Sequence, residues 1–166
     1  GVQFVPEKNN PSYHPGRCAN ILAGGERIGV FGTVHPTVAD RYGLSGEVLA
    51  AELRMDALFA AIDPVKLYHP LPKFPASTRD IAVLVDDAVP AASMQAAIEK
   101  AAGAILESVK LFDVYKGKGI PEGKKSVAYS LSLRAPDRTL TDEECDKAMK
   151  NALAALEKDL GAALRS

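Results

Sequence analysis

Tryptophan is absent from this chain of 166 residues, cysteine occurs only twice, and aromatic residues make up only 6% of the total. Cys18 and Cys145 are far apart and share no motif, which argues against a disulfide framework and indicates free thiols in a reducing compartment. No apolar run approaches the roughly 20 residues of a membrane-spanning helix. The chain also lacks a large excess of charge of either sign: the formal net charge is −1, so a polyanion could bind only to a local patch.

The remaining composition is typical of a soluble globular protein that buries a sizeable core. The first ten residues, GVQFVPEKNN, have neither the basic start nor the apolar segment of a signal peptide. They also lack an initiator methionine and begin in the middle of a pattern, so we expect a fragment of a longer cytoplasmic protein. No membrane partner is expected.

The first 63 residues predict a small antiparallel α+β domain. Residues 1–13 are interpreted as a loop and residues 14–17 as a turn, because prolines, asparagines and a glycine interrupt both. Two apolar runs, 18–23 and 28–34, flank a glycine-containing turn and predict a β-hairpin. Three short elements follow: a helix over 37–42, a strand over 48–54 and a helix over 56–62.

Proline is concentrated between the two halves of the chain. Four prolines within residues 64–75 disfavour regular structure and favour an extended segment, because proline lacks the amide hydrogen and restricts the residue before it. The pattern therefore predicts a helix break at Asp63–Pro64, a linker over 64–72 and a second domain over 73–166.

The second domain shows the element order β-α-β-β-α-β, which predicts a ferredoxin-like antiparallel sheet with both helices on one face. Its clearest strand covers residues 125–134, which alternate strictly between two faces: one carries Val127, Tyr129, Leu131 and Leu133, and the other carries Ser126, Ala128, Ser130, Ser132 and Arg134. Thr141 and Glu144 have the spacing of a capping box at the start of the last helix, and residues 162–165 could form a final short strand.

Motifs for catalysis or metal binding are missing. All three histidines precede proline, and their spacing fits no zinc site, so they are interpreted as turn residues: His14, His35 and His69. Residues 119–126 superficially resemble a phosphate-binding loop, but the glycine spacing is one residue short and a strand follows. We therefore expect this chain to have no active site, metal or cofactor of its own.

Positive charge is concentrated between residues 110 and 138, which carry seven basic and three acidic residues. Residues 73–166 as a whole carry 14 of each sign. A solvated hairpin loop is the simplest explanation of this charge alone. However, the small polar face of the 125–134 strand would let a flat base approach the backbone, and Phe112 and Tyr115 could each be core residues or a stacking surface.

An RNA-recognition motif of the common kind is excluded. That motif reads RNA with aromatic residues on its third strand. The corresponding strand here, KKSVAYSLSL, has only Tyr129, and the alternation places Tyr129 on the core face. RNA binding by this sheet would have to use other residues.

Three segments in order, KFPASTRDIAVLVDD, VKLFDVYKGKGIPEGKKSVAYSLSL and RTLTDEE, closely resemble the ferredoxin-fold anticodon-binding domain of the bacterial-type phenylalanyl-tRNA synthetase β subunit. The resemblance covers about residues 72–166. Upstream, HPGRCANILAGGERIGVFGTVHPTVADRYGL and VLAAELRMDALF are similar to the end of that subunit's class II synthetase-like core, which has a catalytic fold without catalytic motifs.

The resemblance implies an α2β2 enzyme that uses ATP and Mg²⁺ to attach phenylalanine to tRNA(Phe), with the chemistry on the α subunit. It also implies that this chain grips the anticodon stem and loop, with one base held against the sheet. Three residues are carried over by motif position: Asp113, Ser126 and Ala135. Six basic residues are added as phosphate contacts on charge alone: Lys116, Lys118, Lys124, Lys125, Arg134 and Arg138.

Two other functions stay open at this point, because a ferredoxin-like fold alone does not specify function. One is an amino-acid-sensing module of the ACT type, which would dimerise and bind its ligand between subunits. The other is a purely structural domain that docks other subunits.

Overall fold

The computed structural model describes residues 1–62, 65, 67–68 and 70–165. The chain forms two compact units, Gly1–Tyr68 and His69–Ser166, and each contains its own four-stranded sheet. The helix break predicted at Asp63–Pro64 lies outside the described residues, as do Lys66, His69 and Ser166. The predicted linker and domain bounds therefore stay predictions.

The first unit is a four-stranded antiparallel sheet with two short helices. Its strands lie in sequence order: β1 (Val2–Pro6), β2 (Tyr13–Ala23), β3 (Glu26–Val34) and β4 (Leu49–Leu53). Helix α1 (Pro36–Arg41) follows β3, and helix α2 (Met55–Ala60) follows β4. The predicted hairpin is confirmed: Gly24 and Gly25 form the β2–β3 turn with φ of 59° and 84°, values that favour glycine.

Two predictions for this unit are wrong. The supposed loop at the start of the chain contains β1, which pairs with residues 19–23 of β2. A strand at a sheet edge is stabilised by pairing with its neighbour, so a local pattern rich in proline and asparagine does not reveal it. The supposed turn over 14–17 lies inside β2, as an irregularity where the pairing shifts between Tyr13 and Cys18.

The second unit confirms the predicted ferredoxin-like fold. Its sheet has the order β6-β7-β5-β8, and every neighbouring pair is antiparallel. In chain order the elements are β5 (Ser77–Asp86), α3 (Ala91–Ala102), β6 (Leu106–Tyr115), β7 (Lys124–Leu133), α4 (Asp142–Leu160) and β8 (Ala163–Leu164). A 3₁₀ turn over Gly103–Ile105 joins α3 to β6.

One face of this sheet is covered by α3 and α4. Met94 and Ile98 of α3 and Leu156 of α4 are fully buried against the sheet, together with Val83 and Tyr129. These apolar side chains recur at helical spacing on α3 and α4 and at alternate positions on the strands, as a two-layer core requires.

The predicted capping box at the start of α4 is confirmed. The Thr141 hydroxyl accepts from the Glu144 backbone N–H at 3.3 Å, and the Glu144 carboxylate accepts from the Thr141 backbone N–H at 3.0 Å. Among the described residues, no helix is long and apolar enough to cross a membrane.

Candidate nucleic-acid interface

The open face is the face of the second sheet opposite α3 and α4. On β7 it is formed by alternate residues from Ser126 to Ser132, because the residues between them point into the core. The β6–β7 pairing places Tyr115 opposite Ser126 and Asp113 opposite Ala128. Directly paired residues share a face, so Asp113, Tyr115 and Ser126 are neighbours on the open face.

Asp113 and Ser126, the two polar residues carried over from the resemblance, are in different environments. Asp113 is exposed, and its carboxylate has no partner among the described residues. Ser126 is only 3% exposed, and its Oγ accepts from Arg165 Nη1 at 3.1 Å. The expectation that Ser126 lies open to a base is therefore corrected: the side chain of Arg165 lies against it.

Arg165 is a residue that the sequence reasoning missed. It follows β8, and its backbone N–H donates to the Ala82 carbonyl of β5 at 2.9 Å. Its guanidinium carbon lies 5.9 Å from the centre of the Tyr115 ring. The predicted strand over 162–165 is present as β8, and its alternation from Ala163 could have placed Arg165 on the open face, but not its reach to Ser126.

Tyr115 is a surface aromatic and not a core residue. It is 38% exposed, and its hydroxyl donates to the Lys118 carbonyl at 3.3 Å, which holds the ring at the end of β6. Phe112, the other aromatic of this strand, falls at the irregularity between Leu111 and Asp113 and is 53% exposed. The choice between core and surface is thus settled as surface for both rings.

Two of the predicted lysines are tied to the turn between β5 and α3. Lys116 forms an ion pair with Asp87, and its hydrogen bond holds the pKa of the Asp87 carboxyl below its usual value. Lys125 points away from the open face, and its Nζ donates to the carbonyls of Asp87 at 2.9 Å and Val89 at 2.7 Å. Both lysines fasten the 116–123 loop to this turn.

Two other lysines of the same loop region carry exposed charge. Lys118 and Lys124 have exposed side chains, and neither side chain has a hydrogen-bond or ion-pair partner among the described residues. Lys124 lies opposite Asp86 in the β5–β7 pairing, but the Asp86 carboxylate accepts from the Ala88 backbone N–H instead. These two ammonium groups are available to an anionic ligand.

The arginines after β7 are already paired. Arg134 donates to Glu107 at 2.9 Å and also to the Phe74 carbonyl. Ser132 and then Arg134 lower the pKa of Glu107 by hydrogen bonds to its carboxylate. Arg138 binds both carboxylate oxygens of Glu144, at 2.8 and 2.7 Å.

Ala135, the third residue carried over from the resemblance, lies in the core. It is 4% exposed and packs in a small cluster with Leu133, Leu140 and Cys145. The structure therefore brings Asp113 and Ser126 together on the open face but does not bring the Ala135 side chain to it.

A metal site is not evident in the described part of the chain, where no three histidine, cysteine or acidic residues are grouped so that they could hold an ion. His14 and His35 instead accept local backbone hydrogen bonds, from Gly16 at 3.1 Å and Thr37 at 3.3 Å.

The fold and its uncovered face define a ferredoxin-like module, and comparison with known proteins gives its family. The family described as "Ferredoxin-fold anticodon binding domain" matches residues 72–165, which is more than half of the chain, and the chain belongs to this family. Residues 1–55 match the "Phenylalanyl tRNA synthetase beta chain CLM domain". The resemblance predicted from the sequence is thereby confirmed.

Curated relatives are similar along nearly the whole chain. The phenylalanine–tRNA ligase beta subunit of Clostridium tetani is 48% identical over 98% of this chain and 20% of its own length. The subunit of Symbiobacterium thermophilum is 48% identical over 95% and 18%, and that of Geobacillus kaustophilus is 44% identical over 99% and 20%. The chain thus spans about a fifth of the length of the curated relatives it matches.

Proposed function

We propose that the open face of the second unit binds the anticodon stem and loop of tRNA(Phe), as part of a phenylalanine–tRNA ligase. The observation that supports this most directly is the placement of Asp113 and Tyr115 of β6 beside Ser126 of β7, on the face that α3 and α4 leave uncovered. The family match and the named relatives support the same function.

The three side chains have complementary chemistry toward an unstacked base. The Asp113 carboxylate accepts hydrogen bonds from the N–H groups of a base edge, and the Ser126 hydroxyl can donate or accept. Tyr115 offers a flat ring at the same level, on which a base can stack. A single-stranded loop nucleotide presents both its edge and its face, as this arrangement requires.

Phosphate contacts come first from Lys118 and Lys124, whose ammonium groups have no described partner. Lys116, Lys125, Arg134 and Arg138 would have to leave an internal partner before each could bind a phosphate. The proposed phosphate site therefore contains fewer residues than charge alone suggests.

The rest of the enzyme belongs to the same proposal. An α subunit would supply the active site in an α2β2 assembly, with ATP and Mg²⁺ used there, in the cytoplasm. The matching "CLM domain" in residues 1–55 and the beta-subunit relatives support this assembly. The proposed role of the chain within it is to bind tRNA and not to catalyse.

A salt titration with matched lysine variants tests the proposal. The 166-residue chain is titrated with the tRNA(Phe) anticodon stem–loop, and the K118Q/K124Q variant is compared with K116Q/K125Q. We expect K118Q/K124Q to reduce the slope of log affinity against log salt by about 0.7–0.9 per lost contact. We expect K116Q/K125Q to lower thermal stability and to leave the slope nearly unchanged.

Three outcomes would contradict the proposal. An unchanged salt slope in K118Q/K124Q would contradict the phosphate contacts of Lys118 and Lys124. Equal affinity for an unrelated stem–loop would contradict specific recognition of the anticodon. A melting temperature that rises with phenylalanine in a self-associating chain, without RNA binding, would favour the ACT-type alternative.

A further inference from the structure

We propose that Arg165 is a displaceable cover of the base site, which occupies the place of the base in the free protein and contacts a phosphate when RNA is bound. This inference rests on the proposed function. It starts from one residue that contacts three strands. The Arg165 backbone N–H donates to the Ala82 carbonyl of β5, and its side chain donates to Ser126 of β7 and lies over Tyr115 of β6.

The guanidinium contacts both side chains that a base would use, Ser126 by a hydrogen bond and Tyr115 at cation–π distance. It is flat, it donates in its own plane to Ser126 Oγ at 3.1 Å, and it lies over the Tyr115 ring with its central carbon 5.9 Å from the ring centre. A base that hydrogen-bonds to Ser126 and stacks on Tyr115 needs the same space. Arg165 and the base therefore exclude each other.

Ser126 is 3% exposed, so it cannot reach a ligand while Arg165 stays in place. Tyr115 keeps 38% of its surface exposed, and the Asp113 carboxylate is exposed without a described partner. The base site is thus half open: the carboxylate and part of the ring are accessible, and the hydroxyl is covered. Opening it requires only that one side chain moves.

The element that holds Arg165 is suited to such a movement. β8 has two paired residues, and Leu164 within it is 63% exposed. One hydrogen bond and one exposed cation–π contact together favour the closed position of a side chain over its displaced position by a factor of about ten. The contacts made by a bound base offset the loss of these two Arg165 contacts, and the released guanidinium stays within reach of the phosphates that flank the base.

A thiol-labelling experiment tests the cover without RNA. Cys18 is partly exposed and is replaced by serine, whereas Cys145 is buried and is left in place. S126C then reports access to the base site. Because a thiol accepts hydrogen bonds only weakly, the cation–π contact mainly holds Arg165 over Cys at this position, and we expect a maleimide reagent to label S126C about threefold faster when R165A is added, with R165K changing the rate less. Equal labelling rates with and without R165A would overturn the cover.

RNA binding tests the second half of the inference. We expect R165A to reduce the salt slope for the anticodon stem–loop by about one, and R165K to retain the wild-type slope. A slope that R165A leaves unchanged would overturn the phosphate contact. If the wild-type chain binds no RNA while R165A still speeds the labelling of S126C, the proposed function and the displacement step fail and the cover alone stands.

Discussion

The two faces of β7 belong to one strand but differ in composition and surroundings. Toward α3 and α4 the strand presents Val127, Tyr129, Leu131 and Leu133, all 0% exposed. Toward the open face it presents Ser126, Ala128, Ser130 and Ser132, small side chains that would let the proposed ligand approach the sheet closely. Because alternate residues point to opposite faces, stability and binding can be changed separately in this strand.

The largest expected effect is on the core face. Leu131→Ala removes a fully buried side chain and leaves a cavity, so we expect the free energy of unfolding to fall by about 2–5 kcal/mol. Ser130→Ala, the neighbouring residue on the open face, should change it by less than about 0.5 kcal/mol. Urea unfolding followed by circular dichroism measures both. Equal losses in the two variants would show that the faces are not independent.

The next effect in size is on RNA binding. Tyr115→Ala removes the proposed stacking surface, so we expect the free energy of binding to the anticodon stem–loop to weaken by about 1–3 kcal/mol. Tyr115→Phe keeps the ring and loses only the hydrogen bond to the Lys118 carbonyl, so its affinity should stay close to wild type. An affinity that falls equally in both variants would mean that the hydroxyl, and not the ring, matters.

Tyr129 gives a pH test of the core face. Burial raises the pKa of Tyr129 from 10.0 to about 12, so its phenol stays neutral in the folded protein after it has ionised in the unfolded chain. The stabilisation is complete below pH 10 and is lost as pH rises toward 12, at up to about 1.4 kcal/mol per pH unit.

Tyr129→Phe isolates this dependence from other groups. At neutral pH the variant should be less stable by about 1 kcal/mol, because it lacks the hydrogen bond from the phenol to the Ala91 carbonyl at 2.9 Å. Urea unfolding of both proteins from about pH 8 upward should show this difference shrinking above pH 10. A difference that stays constant with pH would exclude the burial of the phenol.

The smallest effect concerns an exposed pair away from both faces. Arg138, followed by the Thr141 backbone N–H, lowers the pKa of Glu144 below its usual 4.5. The stabilisation is therefore present above pH 4.5 and is lost as pH falls through the lowered value. Glu144→Gln should weaken this acid dependence of the melting temperature, and Glu143→Gln in the same turn should not. A matching change in the Glu143 variant would contradict the role of the pair.

Local signals predicted most of the second unit. The alternation of residues 125–134 identified β7, and the spacing of Thr141 and Glu144 identified the start of α4. The first unit was harder, because β1 is an edge strand whose partner lies more than ten residues further along the chain. Periodicity is a property of one segment, whereas edge pairing depends on another.

The candidate site was predicted only in part. The motif resemblance singled out Asp113 and Ser126, and the pairing of β6 with β7 brings both to the open face. Charge alone could not separate Lys118 from Lys116, since the difference is the carboxylate of Asp87 on a distant turn. Ala135 was placed by motif position, and burial shows that its side chain packs in the core.

The sequence by itself determined the element order of the second unit, the two faces of β7 and the family, since all three rest on residue types at fixed local spacing. Only the tertiary structure decided that Arg165 lies over Ser126, 39 residues away, and that Lys118 and Lys124 remain without described partners. The physical reason is that a side chain's partner depends on which strands become neighbours, and short-range spacing does not encode that choice.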